Sequence, residues 1–176
     1  MWFERGMRFG PDEPMQKETP GAETPRRTPR RNPPMRILVI DDDPGVRMLC
    51  KIAFRADGDE VVEAASGREG LELLAAEVID AVVLDVMLPS INGFEVLRRI
   101  RENVQTSDLP VVLLSVRVGM QDQIDGWRAG ADDYLTKPFS PSALAAKVYE
   151  ISHMGPRHRA DRRTERAAER VPLQSA

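Results

Sequence analysis

Residues 36–47, RILVIDDDPGVR, join a buried strand to a helix and set the pattern for the chain. Ile37, Leu38, Val39 and Ile40 form an unbroken aliphatic run rich in β-branched residues. Such a run reads as a strand covered on both faces, since a half-exposed strand alternates with polar residues. Three aspartates end the run, and Pro44 stands where the first turn of a helix accepts proline. Val46, Leu49, Cys50, Ala53 and Phe54 then recur at i, i+3, i+4, i+7 and i+8, one apolar helical stripe. Cys50 lies in that stripe, so a core position is expected for it.

The same alternation repeats outward to residue 152. Val61-Val62 mark a short second strand, and Ser66 with Glu69 three places on forms a capping box for a helix whose inner face is Leu71, Leu74, Ala75 and Val78. Residues 79–84 read as a third strand. A loop with Pro89 and Gly93 leads to a helix carrying Phe94, Leu97 and Ile100. Residues 111–114 are a fourth strand, and Met120, Ile124 and Trp127 give the next helix one face. Tyr134-Leu135 make a fifth strand, and Ser140-Pro141 open a last helix with Leu144, Val148 and Ile151 turned inward. Five strand–helix units of this kind predict an α/β fold with a parallel sheet covered on both faces. Right-handed crossovers then favour a doubly wound five-stranded sheet of order 2-1-3-4-5.

Length and composition bound the rest. The chain has 176 residues, 41% hydrophobic and 5% aromatic, enough for one domain with an aliphatic core plus tails. Residues 1–34 are rich in Pro, Thr, Glu and Arg and read as a disordered tail. Residues 35–152 form the domain. Residues 153–176, Arg-rich and nearly without large apolar side chains, read as a disordered tail or a frayed helix. The domain holds 12 basic and 20 acidic side chains, net −8, which argues against DNA binding. One cysteine excludes an internal disulfide and a multi-thiolate zinc site. Both histidines follow residue 152, so the domain has no imidazole for Ser-His-Asp or His-metal chemistry. No apolar run approaches the ~18 residues of a membrane span, and no signal-peptide pattern opens the chain, so the cytoplasm is expected.

In an open α/β sheet the site lies at the carboxyl ends of the strands. There the pattern places Asp41, Asp42 and Asp43 after strand 1, Asp85 after strand 3, Ser115 after strand 4 and Lys137 after strand 5. Clustered carboxylates repel unless a cation intervenes, and an oxygen-only site suits Mg2+. A carboxylate can also attack phosphorus, and a phosphoryl group in flight is stabilised by Mg2+, an ammonium and a hydroxyl.

Over residues 35–152 the chain resembles the receiver domain of two-component response regulators. The resemblance rests on RILVIDDDPGVR, DAVVLDVMLPSINGFEVL, PVVLLSV and GWRAGADDYLTKPFSP, and on spacings of 30 from Asp85 to Ser115 and 22 from Ser115 to Lys137. It implies a flavodoxin-like (βα)5 fold and a role for each matching residue. Asp85 is the phosphoryl acceptor. Asp42 is the main Mg2+ acid, Asp41 its neighbour, and Met87 a ligand through its backbone carbonyl. Ser115 is the switch hydroxyl, Lys137 the lysine that pairs with acceptor and phosphate, and Tyr134 the aromatic that follows the switch. The Lys137–Pro138 bond is expected to be cis. Asp43 takes a minor role, and Asp132 and Asp133 read as surface residues. Asp133 with Lys147 offers one charged pair for a dimer, but Gln123 and Ala143 lack the charge usual in that mode.

The function implied is a stand-alone regulator. It takes phosphate from a histidine kinase or histidine phosphotransfer protein, catalyses only its own phosphorylation and dephosphorylation, and signals through the face of helix 4, strand 5 and helix 5. An aspartate-nucleophile phosphatase of the haloacid dehalogenase type also uses Asp, Ser, Lys and Mg2+. There the nucleophile precedes the paired acids, and here the pair comes first.

Overall fold

The computed structural model describes residues 33–55, 58–116 and 125–169. Its strands are β1 (Arg36–Ile40), β2 (Glu60–Ala64), β3 (Ala81–Asp85), β4 (Val111–Ser115) and β5 (Asp133–Thr136). All pair in parallel, in the order β2-β1-β3-β4-β5. The helices are α1 (Pro44–Arg55), α2 (Gly67–Ala76), α3 (Gly93–Glu102), α4, whose described part is 125–128, α5 (Pro141–His153) and α6 (Pro156–Glu169). The expected sheet order is the one observed. Met120 and Ile124, expected on one face of α4, lie outside the described residues, as do residues 1–32 of the N-terminal tail.

The period of two along each strand divides the core into two layers. Ile37 and Val39 of β1, Ala81 and Val83 of β3, and Val112 and Leu114 of β4 meet Cys50, Phe54, Leu144 and Val148 of α1 and α5. Leu38, Ile40, Val82, Leu84, Val111 and Leu113 face the other way, against Val96, Leu97 and Ile100 of α3 and Trp127 of α4. Every residue of β3 and β4 is buried, which is why those runs are wholly apolar until their last position. Burying one such side chain contributes roughly 1.5–3 kcal/mol, several times a surface ion pair. The two sheet faces, and not the charged exterior, therefore hold the fold.

Helix starts follow the capping residues. Ser66 Oγ accepts the Glu69 N–H at 3.2 Å, and Glu69 reaches back to the Ala65 N–H at 2.7 Å. Ser140 Oγ accepts the Ala143 N–H at 3.2 Å ahead of Pro141. Asp43 Oδ1 accepts the Gly45 N–H at 2.7 Å and so turns the chain into α1.

Three expectations need correction. Val78 was placed on the inner face of α2, but that helix stops at Ala76 and Val78 is 80% exposed. Asp132 and Asp133 are not surface residues; both are buried, held by arginines from α3 and α6 and by Lys147. The tail expected to be disordered or frayed is, over 156–169, a docked helix whose Arg159 is buried.

Cys50 is fully buried, and burial, reinforced by the nearby Asp41 charge, pushes its thiol up to about 12. The native thiol therefore keeps its proton far above the ~8.5 of an unfolded cysteine. The stabilisation from this linkage is complete below that value and is lost as pH rises through about 12. A disulfide thiol reagent at pH 8 should label the chain only after denaturant is added; rapid labelling of the native chain would contradict this burial.

Candidate functional site

The carboxyl ends of β1, β3, β4 and β5 meet at one rim, because parallel strands bring all their last residues to the same edge. Asp85 ends β3 beside Leu114, and Ser115 ends β4 beside Thr136. The Val86 N–H donates to the Leu114 carbonyl and the Lys137 N–H to the Ser115 carbonyl, which carries the register past the strand ends. Lys137 thus leaves β5 pointing across the sheet. Its ammonium donates to Asp41 Oδ2 at 2.7 Å and lies 3.1 Å from Asp85 Oδ2. The Lys137–Pro138 peptide is cis.

Asp41, Asp42 and Asp85 each bring a carboxylate oxygen within 4.8 Å of the others. They are not equivalent. Asp41 is fully buried, and its Oδ1 accepts the Asp43 N–H at 3.0 Å while Oδ2 holds Lys137. Burial pushes its carboxyl above the usual range, although the Lys137 bond pulls the other way. Burial likewise works against the Lys137 charge, but the bonds to Asp41 and Asp85 outweigh it and its pKa is raised. Asp42 is exposed and faces the mouth of the cluster. Asp85 is 3% exposed, and its Oδ1 is buried with no hydrogen-bond partner among the described residues. An orphaned anionic oxygen beside two more carboxylates is the environment a hard divalent cation fits.

The expected site residues Asp41, Asp42, Asp85, Ser115 and Lys137 therefore converge. Met87 follows Asp85 by two and is 68% exposed. Tyr134 sits deeper, in register with Leu113, its ring 4.9 Å from that of Trp127. Arg117, next after the exposed Val116, and Gln123 lie outside the described residues.

Sequence reading missed Arg47. From α1 its guanidinium donates to the Asp41 carbonyl at 2.7 Å and the Asp42 carbonyl at 3.1 Å, fixing the acidic loop. Its spacing of six from Asp41 is the only trace of this in the sequence. Gly93 was also unread as a site residue. It opens α3 against the acceptor strand, its N–H donating to the Val86 carbonyl at 3.0 Å.

A parallel sheet of this order, with acids, a hydroxyl and a lysine on one rim, is an α/β scaffold carrying a polar cluster at its strand ends. The chain belongs to the response regulator receiver domain family, whose model matches residues 37–149. It is 42% identical over 113 residues to the DNA-binding dual master transcriptional regulator RpaA of Synechocystis, covering 64% of this chain and 47% of that one. It is 44% identical over 115 residues to the response regulator MprA of Mycolicibacterium vanbaalenii, covering 65% of this chain and 49% of MprA. The chain spans about half the length of these curated relatives. Among solved structures it is similar to the chemotaxis response regulator CheY4 of Vibrio cholerae, with a TM-score of 0.64 and 28% identity over 67% of this chain and 98% of that one. It is also similar to DrrB of Thermotoga maritima, an OmpR/PhoB homologue, with a TM-score of 0.61 and 34% identity over 67% of this chain and 52% of DrrB. Among the described residues no helix is long and apolar enough to cross a membrane.

Proposed function

We propose that this chain acts as a cytoplasmic response regulator. Asp85 accepts a phosphoryl group from a histidine kinase or histidine phosphotransfer protein, and the signal leaves through the α4–β5–α5 face. The observation that carries this reading is the Lys137 ammonium shared between Asp41 and Asp85, beside the orphaned Asp85 Oδ1. Membership of the family and the receiver-sized CheY4, nearly all of which is matched, support it.

In the step, an Asp85 carboxylate oxygen bonds to phosphorus as the P–N bond of the donor phosphohistidine breaks, and the electron pair returns to the imidazole nitrogen. Asp42, Asp85 and the Met87 carbonyl would hold Mg2+, with Asp41 behind them; the ion would offset negative charge on the transferring oxygens. Lys137 stays paired with the acceptor and meets the incoming phosphoryl charge. Ser115, on the neighbouring strand end, turns its hydroxyl to the phosphoryl group, and Tyr134 follows. The chain turns over no separate substrate; hydrolysis of its own acyl phosphate resets it.

Intact mass after incubation with acetyl phosphate and Mg2+ tests this. Wild type should gain one phosphoryl group, and Asp85→Asn none. A wild-type chain that gains nothing, or a variant that still does, overturns the assignment. The half-length match to transcriptional regulators favours a second reading, in which this is the receiver part of a DNA-binding protein.

A further inference from the structure

α6 lies across the face assigned to output above. It is an unusual helix for a docked element: PRHRADRRTERAAE offers only alanines as apolar contacts, with arginines at 157, 159, 162, 163 and 166. The surface beneath it is acidic and aromatic. Arg162 lies 3.7 Å from Asp133 of β5 and 3.2 Å from Glu150 of α5. Arg163 lies 3.5 Å from the buried Asp132. Arg166 donates to the Asp132 carbonyl at 2.7 Å, lies 3.8 Å from Asp133, and places its guanidinium 4.4 Å above the Trp127 ring. Ala167 rests against the same core layer as Trp127. One helix thus touches α4, β5 and α5 through residues spaced i, i+4.

Two features make this docking responsive. First, beyond the buried Arg159 at its start, the helix is held by the partly exposed Arg162–Glu150 pair, by the Arg166–Trp127 contact, and by pairs to Asp132 and Asp133, buried acids that keep Arg101 and Lys147 as partners when α6 leaves. Exposed pairs and cation–π contacts each contribute little in water and are screened by salt. A helix held so is displaceable. Second, its seat is mechanically joined to the phosphoryl site. Tyr134 is in register with Leu113, and Ser115 lies two residues on, so by the period of two their side chains share one face of the sheet. The Tyr134 ring packs edge-on against Trp127, at 4.9 Å and 72°. Its hydroxyl occupies the space a Cβ at residue 126 would fill, only 1.0 Å from that position, which glycine leaves open. A rotation of Tyr134 toward Ser115 withdraws the support under Trp127 on which Arg166 stacks.

We infer that the α4–β5–α5 face is a docking surface for an arginine-bearing helix, that α6 is its occupant within the chain, and that phosphorylation of Asp85 releases α6. The inference rests on the receiver reading above. Release would uncover Trp127, Asp132, Asp133 and Glu150 together, a surface suited to a partner helix with arginines at i and i+4.

Hydrogen exchange of residues 156–169 in the full chain tests it, with and without beryllofluoride and Mg2+. In wild type the anion should speed α6 exchange about fivefold or more, the low end of ordinary coupling. Asp85→Asn should show no such change. Arg166→Ala, an outer-helix change that leaves the core intact, should speed α6 exchange without the anion. By reciprocity it should also tighten anion binding. Wild type that binds beryllofluoride, seen by fluorine NMR, yet exchanges α6 no faster overturns this inference alone. Arg166→Ala with unchanged α6 exchange does the same. Wild type that binds no anion overturns the receiver reading and this inference with it.

Discussion

Replacing Lys137 by Met should lower the rate of phosphoryl uptake at Asp85 by about 100-fold or more. The substitution keeps most of the stem's volume and removes only the cation. That cation is 2.7 Å from Asp41 and 3.1 Å from Asp85, and among the described residues it is the group paired with both buried carboxylates at once. Without it the incoming phosphoryl oxygens meet two uncompensated anions. The folded state should suffer as well, because breaking a buried pair strands the remaining charge. In chelator the variant should be less stable than wild type by about 3 kcal/mol. Millimolar Mg2+ should return part of that loss, since a cation that binds only the native cluster stabilises it by mass action. Lys147→Met is the control. Its pair with Asp133 is more exposed, so its loss should cost below about 1 kcal/mol. Phosphorylation measured by intact mass and stability measured by urea titration read the two effects separately. A Lys137→Met chain phosphorylated at the wild-type rate would remove Lys137 from the mechanism.

The site was legible in the sequence for a physical reason. Strands buried on both faces must be apolar along their whole length, so the first charged residue after each run marks the rim. Asp41 and Asp85 follow such runs; Lys137 follows the short edge strand β5, which is only partly buried, and was placed by its position after that strand. The sheet order was legible because handed crossovers leave few alternatives. What failed to show was decided by partners distant in the chain. Asp132 looks like a turn residue until Arg101, 31 positions away, donates to it at 2.8 Å. Nothing local to Asp132 signals that burial. α6 failed for a different reason. Helices are read from apolar stripes, and α6 has none; its docking is written in charge and in one aromatic ring, neither of which has a period. Val78 shows the converse error. The stripe of α2 was extended one turn too far because periodicity carries no stop signal, and the chain there has neither glycine nor proline to supply one.

Gly93→Ala should be among the most damaging single-methyl changes available in this domain. A Cβ at residue 93 would stand 2.2 Å from the Asp85 carbonyl oxygen and 2.8 Å from the Val86 Cα. Both are main-chain atoms of the acceptor strand and its exit, so neither can rotate away as a side chain would. Either α3 retreats, losing the Gly93 N–H bond to the Val86 carbonyl, or the end of β3 moves. Overpacking against a rigid neighbour costs about 3 kcal/mol, which lowers the melting temperature of a domain this size by about 10 °C. Gly155→Ala makes the matched control, because its Cβ meets nothing within 4 Å and the melt should scarcely shift. The functional effect should exceed what lost stability explains. Displacing the Asp85 main chain by about 1 Å misaligns the acceptor oxygen, and misplacement of that size costs about 100-fold in rate. Phosphoryl uptake assayed well below the variant's melting temperature should therefore still be depressed. Near-wild-type uptake there would show that α3 yields while Asp85 stays fixed, and would make the close approach of Gly93 a matter of packing alone.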